Sequence, residues 1–330
     1  MNDTARTFLS LGIALGLGVL VPAFFMRMLM PSLERGVPVT NYRGRAVFAG
    51  LGVVWLVWAG CAIVVGVAAS SIGRTSVLPV LTLLGPLALV AFALGVVDDA
   101  YGNGADRGFR GHFSALAHGR LTTGMLKLVG MGVASVVIAL ILVQMAPWGG
   151  GADAGWLRIP GVLLAASAIA LTTNFVNLTD LRPGRALKVY TALVFFGAAL
   201  VPNALAHAGV VEIAGGMRLA IESLTLLVAL LGPVFAVWRY DLGERAILGD
   251  SGANAMGAVA GALIVIGLPF WGLMAFTLVL VCLNAVSERV SYSAVIDRTR
   301  ALRWLDNLGR HTDRTPDEPV SALSEHVSRR

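Results

Sequence analysis

The chain has 330 residues, 57% of them hydrophobic and 13% charged, with a formal net charge of +6 and a mean hydropathy of +0.79. Soluble globular chains carry about 25% charged residues, so the composition excludes a soluble enzyme or binding module and predicts an integral membrane protein. The two cysteines, Cys61 and Cys282, lie in separate apolar runs; they offer neither a disulfide framework nor metal-ligand spacing and read as small buried hydrophobes.

A membrane-crossing helix needs about 20 apolar residues. In chain order the predicted spans are 8–30, 46–70, 77–97, 123–146, 159–176, 189–206, 219–238, 253–268 and 269–287. The first run has no small-residue cleavage site after a short apolar core, so it reads as a retained span and not a signal peptide. The last two are separated only by Gly267-Leu268-Pro269 and are also readable as one long bent segment. Backbone polar groups in lipid must be satisfied internally, which predicts helices rather than strands of an open sheet. The expected fold is all-α: a polytopic bundle of about nine transmembrane helices.

Lys and Arg set the expected orientation. One set of loops holds Arg35, Arg43, Arg45, Arg107, Arg110, Arg120, Arg182, Arg185, Lys188, Arg239, Arg245 and the tail from Arg289. The opposite set holds Arg6, Arg74, Arg158 and Arg218. This places the first set in the cytoplasm, the N-terminus outside and the C-terminus cytoplasmic. The segment 288–310 sets Val290, Ala294, Leu302 and Leu305 among Arg and Ser, the pattern of an amphipathic cytoplasmic surface helix. Residues 311–330 are polar with two prolines and read as a disordered tail. The positive loops suit anionic lipid and phosphate-bearing ligands; no nucleic-acid motif is present.

Four polar clusters sit where apolar runs stop, all on the expected cytoplasmic side. Asp98 and Asp99 close the third span. Acids at a helix C-terminus oppose the macrodipole, so a nearby cation or metal should compensate them. Asn174, Asn177 and Asp180, spaced by three, fall along one helix face; interhelical hydrogen bonding is the plainer account of any one of them. Arg182, Arg185 and Lys188 follow around Pro183-Gly184, and suit either a phosphate held bidentately or positive-inside anchoring. Gly249-Asp250-Ser251-Gly252 opens the eighth span, where Asp250 or Ser251 is an N-cap or, alternatively, Asp250 holds a cation bridging to phosphate. Asp98, Asp99 and Asp250 together supply what a Mg²⁺ site needs. The Gly-rich stretch 102–112 carries Arg107, Arg110 and His112 and lets backbone amides approach a diphosphate, or is simply a basic loop. It misses GxGxxG, and no GxxxxGK[ST] or HExxH occurs.

Asp98-Asp99 after the third span, Asn-x-x-Asn-Leu-Thr-Asp at 174–180 and Gly-Asp-Ser-Gly at 249–252 resemble, in order and spacing, the polyprenyl-phosphate N-acetylhexosamine-1-phosphate transferases. That superfamily includes the translocase that makes lipid I of peptidoglycan. The resemblance covers roughly residues 10–285 and makes 1–287 a transmembrane transferase domain of a multi-pass protein in the bacterial plasma membrane. It implies transfer of a sugar 1-phosphate from a UDP-sugar to polyprenyl (undecaprenyl) phosphate, with release of UMP and a requirement for Mg²⁺, for cell-envelope glycan synthesis. Asp98, Asp99 and Asp250 would be catalytic, with Asp250 and Asp99 on the metal. Asn174, Asn177, Asp180, Lys127, Arg110, His112, Arg182, Arg185 and Lys188 would bind the substrates. Family members often dimerise, so the resemblance leaves a homodimer open.

Three features depart from the family. Leu181-Arg182-Pro183-Gly184-Arg185 stands where Gly-Leu-Asp-Gly-Leu is usual, the His-rich loop between the last two spans is absent, and a tenth span is missing. A catalytically inactive descendant that binds polyprenyl phosphate or lipid-linked sugar in a regulatory role is the alternative these departures favour.

Overall fold

A computed structural model describes residues 3–36, 38–71, 74–102, 108–146, 158–213 and 215–310. The molecule is mostly helical, and among the described residues nine helices are long and apolar enough to cross a membrane. The first of these runs from α1 (Asp3–Ile13) through a π-helical stretch (Ala14–Leu20) into α2 (Val21–Leu33). The others are α3 (Val53–Ser70), α4 (Leu81–Tyr101), α6 (Thr123–Met145), α7 (Arg158–Thr179), α8 (Arg185–His207), α9 (Gly216–Leu242), α10 (Gly249–Gly267) and α11 (Phe270–Ser287). A shorter helix, α5 (Gly108–Ala117), connects α4 to α6. The last two predicted spans are thus separate helices, divided where Leu268 turns extended ahead of Pro269.

α10 is the axis of the bundle. Nearly every residue from Ser251 to Gly267 is buried, and the helix packs against α4, α7 and α8. Lipid supplies no hydrophobic force between helices, so close approach through small residues does the work. A Cβ on Gly257 would sit 2.5 Å from Thr173 Cα, and one on Gly261 would sit 2.9 Å from Ile169 Cα. The seam with α7 therefore tolerates nothing larger than glycine at these two positions. On the other side, a Cβ on Gly95 of α4 would collide with Ser251 Cα. Elsewhere the mostly aliphatic core holds an aromatic cluster. Trp55 meets Trp58 and Tyr190 edge to face, with centroids 5.3 and 5.1 Å away. Trp58 Nε1 donates to the Ala229 carbonyl at 2.7 Å, and the Tyr190 hydroxyl donates to that of Leu230 at 3.1 Å.

Two sequence expectations change. The span expected from residue 46 starts as a helix only at Val53, because Ala46–Ala49 is a strand, β2. It pairs antiparallel with β1 (Pro38–Thr40) and parallel with β3 (Ala246–Ile247), in a small sheet capping one end of the bundle. Glu244 ties the sheet together. Its carboxylate accepts from Asn41 Nδ2 and the Tyr42 hydroxyl and pairs with Arg43 and Arg45. In addition, 288–310 is not one surface helix but two short ones, α12 (Tyr292–Arg298) and α13 (Arg300–Asn307), broken at the extended Thr299. The tail 311–330 lies outside the described residues.

Candidate active site

Close packing delivers the acids. Gly95 rests against the first turn of α10, so Asp98 and Asp99, one turn further along α4, arrive beside Asp250. Asp99 Oδ1 accepts from the Asp250 N–H at 2.9 Å and Oδ2 from the Ser251 N–H at 3.0 Å. Those amides have no partner within α10, and the carboxylate also faces the positive end of the helix. Gly249 just before them has φ +75°, and a Cβ there would press on Asp99 Oδ2 at 2.9 Å. The conformation and the space both require glycine.

Asp98 and Asp250 share a cation. Lys127 Nζ donates to Asp98 Oδ2 at 2.7 Å and to Asp250 Oδ2 at 2.5 Å. The Thr123 hydroxyl also bonds Asp98. The Asn177 amide, oriented so that both its contacts are satisfied, donates to Asp250 Oδ1 at 3.0 Å and accepts from Lys127 Nζ at 3.1 Å. Helices α4, α6, α7 and α10 thus each contribute to one polar knot, in which the side chains of Lys127, Asp98 and Asp250 are 19%, 17% and 28% exposed. The two acids of α4 find the compensation the macrodipole argument demands by different routes: Asp98 in Lys127, Asp99 in the N-terminus of α10.

The start of α6 is braced from below. Thr122 caps it by accepting from the Met125 N–H at 3.1 Å, and His112 Nδ1 lies 2.9 Å from the same hydroxyl. His112 therefore supports the turn that carries Thr123 and Lys127. Arg110 is on α5, and its side chain, like Arg107, falls outside the described residues.

Asn174 and Asn177 part company. Positions three apart differ by about 60° around a helix, and Asn174 Nδ2 donates instead to Asn284 Oδ1 of α11 at 2.6 Å. Asp180, just past α7, is partly buried. Burial raises its carboxyl well above the usual range; the carboxylates of Asp241, Asp250 and Asp99 add to this, and a backbone hydrogen bond from Gly249 opposes it. Asp241, which the sequence reading passed over, is buried at the end of α9 and accepts from the Gly184 N–H at 2.6 Å, securing the start of α8. Its signal was available: like Asp98, it is an acid at the end of an apolar run.

The three cations after Asp180 have partners within the chain. Arg182 forms a two-pronged pair with Asp297 at 2.8 and 2.7 Å, and holds that carboxyl below its usual range. Arg185 pairs with buried Asp306 at 2.5 Å and donates to Ser293 Oγ at 2.8 Å. Lys188 Nζ donates to the carbonyls of Leu305 and Asp306. They hold the C-terminal segment against the α7–α8 turn.

Among the described residues no group of three or more His, Cys, Asp or Glu side chains is spaced to hold a metal. Asp98 and Asp250 nonetheless direct two carboxylates at one point already taken by a cation. This all-oxygen donor set fits Mg²⁺, which usually takes one or two carboxylates and completes its shell with phosphate oxygens and water. Asp99, with an amide on each oxygen, is engaged elsewhere. A separate cavity of about 330 Å³ lies near the opposite end of α8, lined by Asn203, His207, Ile213 and Leu219 among others, and contains none of these groups. No protein-family model matches the chain, and no curated protein matches it.

Proposed function

We propose that the chain transfers a sugar 1-phosphate from a UDP-sugar to a polyprenyl phosphate at the cytoplasmic membrane face, releasing UMP. The observation that supports this best is the convergence of Asp98, Lys127, Asn177 and Asp250 from four helices at one end of an apolar bundle. An oxygen of the lipid phosphate attacks the β-phosphorus of the donor. A new P–O bond forms, the bond from β-phosphorus to the bridging oxygen breaks, and UMP departs with that oxygen.

Both reactants are anionic, so the site must first offset their repulsion. Lys127 supplies a positive charge beside the carboxylates of Asp98 and Asp250. Asn177 orients Asp250 and contacts Lys127 at once. Asp250 and Asp98 would hold Mg²⁺, which when bound would polarise phosphoryl oxygens and neutralise charge on the departing UMP. Asp99 keeps the first turn of α10, and hence Asp250, in position. A dianionic lipid phosphate already presents a nucleophilic oxygen, so no side chain has to remove a proton.

The test is incubation of purified protein with undecaprenyl phosphate, Mg²⁺ and a panel of UDP-sugars, reading UMP. Release with one donor, lost in Asp250→Asn, is expected. A folded protein that releases no UMP with any donor defeats the proposal. The engagement of Arg182, Arg185 and Lys188 by the C-terminal segment supports a second reading, a regulatory descendant that binds the lipid without turnover. Mg²⁺-dependent binding of undecaprenyl phosphate with no UMP would select it.

A further inference from the structure

α13 has two unlike faces. One is fastened to the bundle: Asp306, with a side chain 4% exposed, receives Arg185 at 2.5 Å and Arg310 at 2.9 Å, and Lys188 caps the last carbonyls of the helix. The other carries Ala301, Trp304 and Leu305, at helical spacings of three and four that make one stripe, with Leu308 following at the C-cap. It is open, with Trp304 67%, Leu305 48% and Leu308 50% exposed. Arg300, exposed, flanks the stripe, and Arg298, also exposed, precedes the helix.

We infer that this stripe docks into the surface of an anionic leaflet, the same one α11 enters. Three observations favour lipid over a protein partner. The stripe follows closely in the chain on a helix long and apolar enough to cross a membrane, since α11 ends at Ser287, and Val286, Val290 and Val295 between them are also exposed. A large tryptophan beside a stripe of leucines, with arginines around it, is the composition of a helix lying in the headgroup region, its ring at the interface and its guanidinium groups on lipid phosphates. The two acids of α12 and α13 are offset by cations, since Asp306 is buried on Arg185 and Asp297 is paired with Arg182. The docked helix hangs on the α7–α8 turn, which follows Asp180 directly, so the position of that turn is tied to the lipid surface. The inference rests on the membrane-spanning reading and not on the proposed transfer reaction.

The test uses the full chain with Cys61→Ala and Cys282→Ala, spin-labelled at Leu308→Cys and, separately, at Ala301→Cys. Each is reconstituted in vesicles of phosphatidylcholine alone or with roughly one third phosphatidylglycerol. Collision of the label with oxygen, which concentrates in lipid, is compared with collision with a water-soluble nickel chelate. Both labels should favour oxygen in the anionic vesicles and shift towards the chelate when Arg298→Ser and Arg300→Ser are added. Labels open to the chelate in both compositions overturn the inference. So does spin–spin broadening between labels, which would show a second copy on the stripe. An oxygen preference indifferent to phosphatidylglycerol overturns the anionic part.

Discussion

Asp99 holds Asp250 by the backbone: its two oxygens accept the Asp250 and Ser251 amides at 2.9 and 3.0 Å, which places one carboxylate of α4 as the cap of α10. The role is positional, and it separates two accounts of Asp99. As an exposed cap it is worth about 1 kcal/mol. Asp99→Ala should therefore lower the unfolding midpoint in detergent, with Asp99→Asn, which keeps one acceptor, falling between it and the parent. A residue acting only as a metal ligand would leave the midpoint of the metal-free protein unchanged.

Lys127 is the cation that lets Asp98 and Asp250 face each other. Lys127→Met keeps an unbranched side chain one atom shorter and removes the charge, leaving two largely buried carboxylates opposed. Turnover should fall about 10²–10³-fold, the usual cost of removing a fixed group that stabilises developing charge. Titration calorimetry on the same variant should show tighter Mg²⁺ binding than the parent, since the ammonium no longer competes for Asp98 and Asp250. Weaker Mg²⁺ binding would contradict the shared seat.

Asp180 gives a pH signature. Its carboxyl is raised in the folded protein by burial and by the nearby acids, so the folded state binds more protons than the unfolded one. Stability from this group is fully present below the ordinary aspartate range and declines as pH rises from there to the raised folded value. Asp180→Asn should remove that decline. The difference in unfolding midpoint between variant and parent should be smallest in acid and grow in favour of the variant towards neutrality. A constant difference across pH would refute the assignment.

The nine long apolar helices were legible because apolar runs of this length have one solution in lipid, and the two that Pro269 divides are separated by a single extended residue. The sheet was not, because its strands are two to four residues long, and Ala46-Val47-Phe48-Ala49 is as apolar as the helix it precedes. At the site, Asp98, Asn177 and Asp250 were legible as polar residues at span ends, and Lys127 through the resemblance. Their partition was not: sequence spacing puts Asn174 with Asn177 and treats Asp98 and Asp99 alike, whereas a rotation of about 60° sends Asn174 to α11 and one residue's step sends Asp99 to the backbone of α10. From sequence alone the cations at 182–188 suit a phosphate or positive-inside anchoring equally, because the partners of Arg182 and Arg185, Asp297 and Asp306, lie more than a hundred residues away in a segment with no visible chemistry.

Arg185 and Asp306 provide the sharpest contrast with a neighbouring pair. Their side chains are 5% and 4% exposed, whereas Asp297, the partner of Arg182, is 46% exposed. Losing one member of a buried pair strands the other without water or counter-charge, which costs about 3–5 kcal/mol; solvent screens the outer pair, so its loss should cost far less. Arg185→Ala should accordingly free α13 and expose the C-terminal segment to limited proteolysis at low protease, while Arg182→Ala leaves it protected. Arg310 also holds Asp306, at 2.9 Å, so part of the charge on Asp306 stays compensated and the effect of Arg185→Ala should fall at the lower end of that range. Combining Arg185→Ala with Asp306→Ala should recover part of the loss, because the stranded charge is gone; strictly additive losses would mean that the two residues stabilise the C-terminal segment independently.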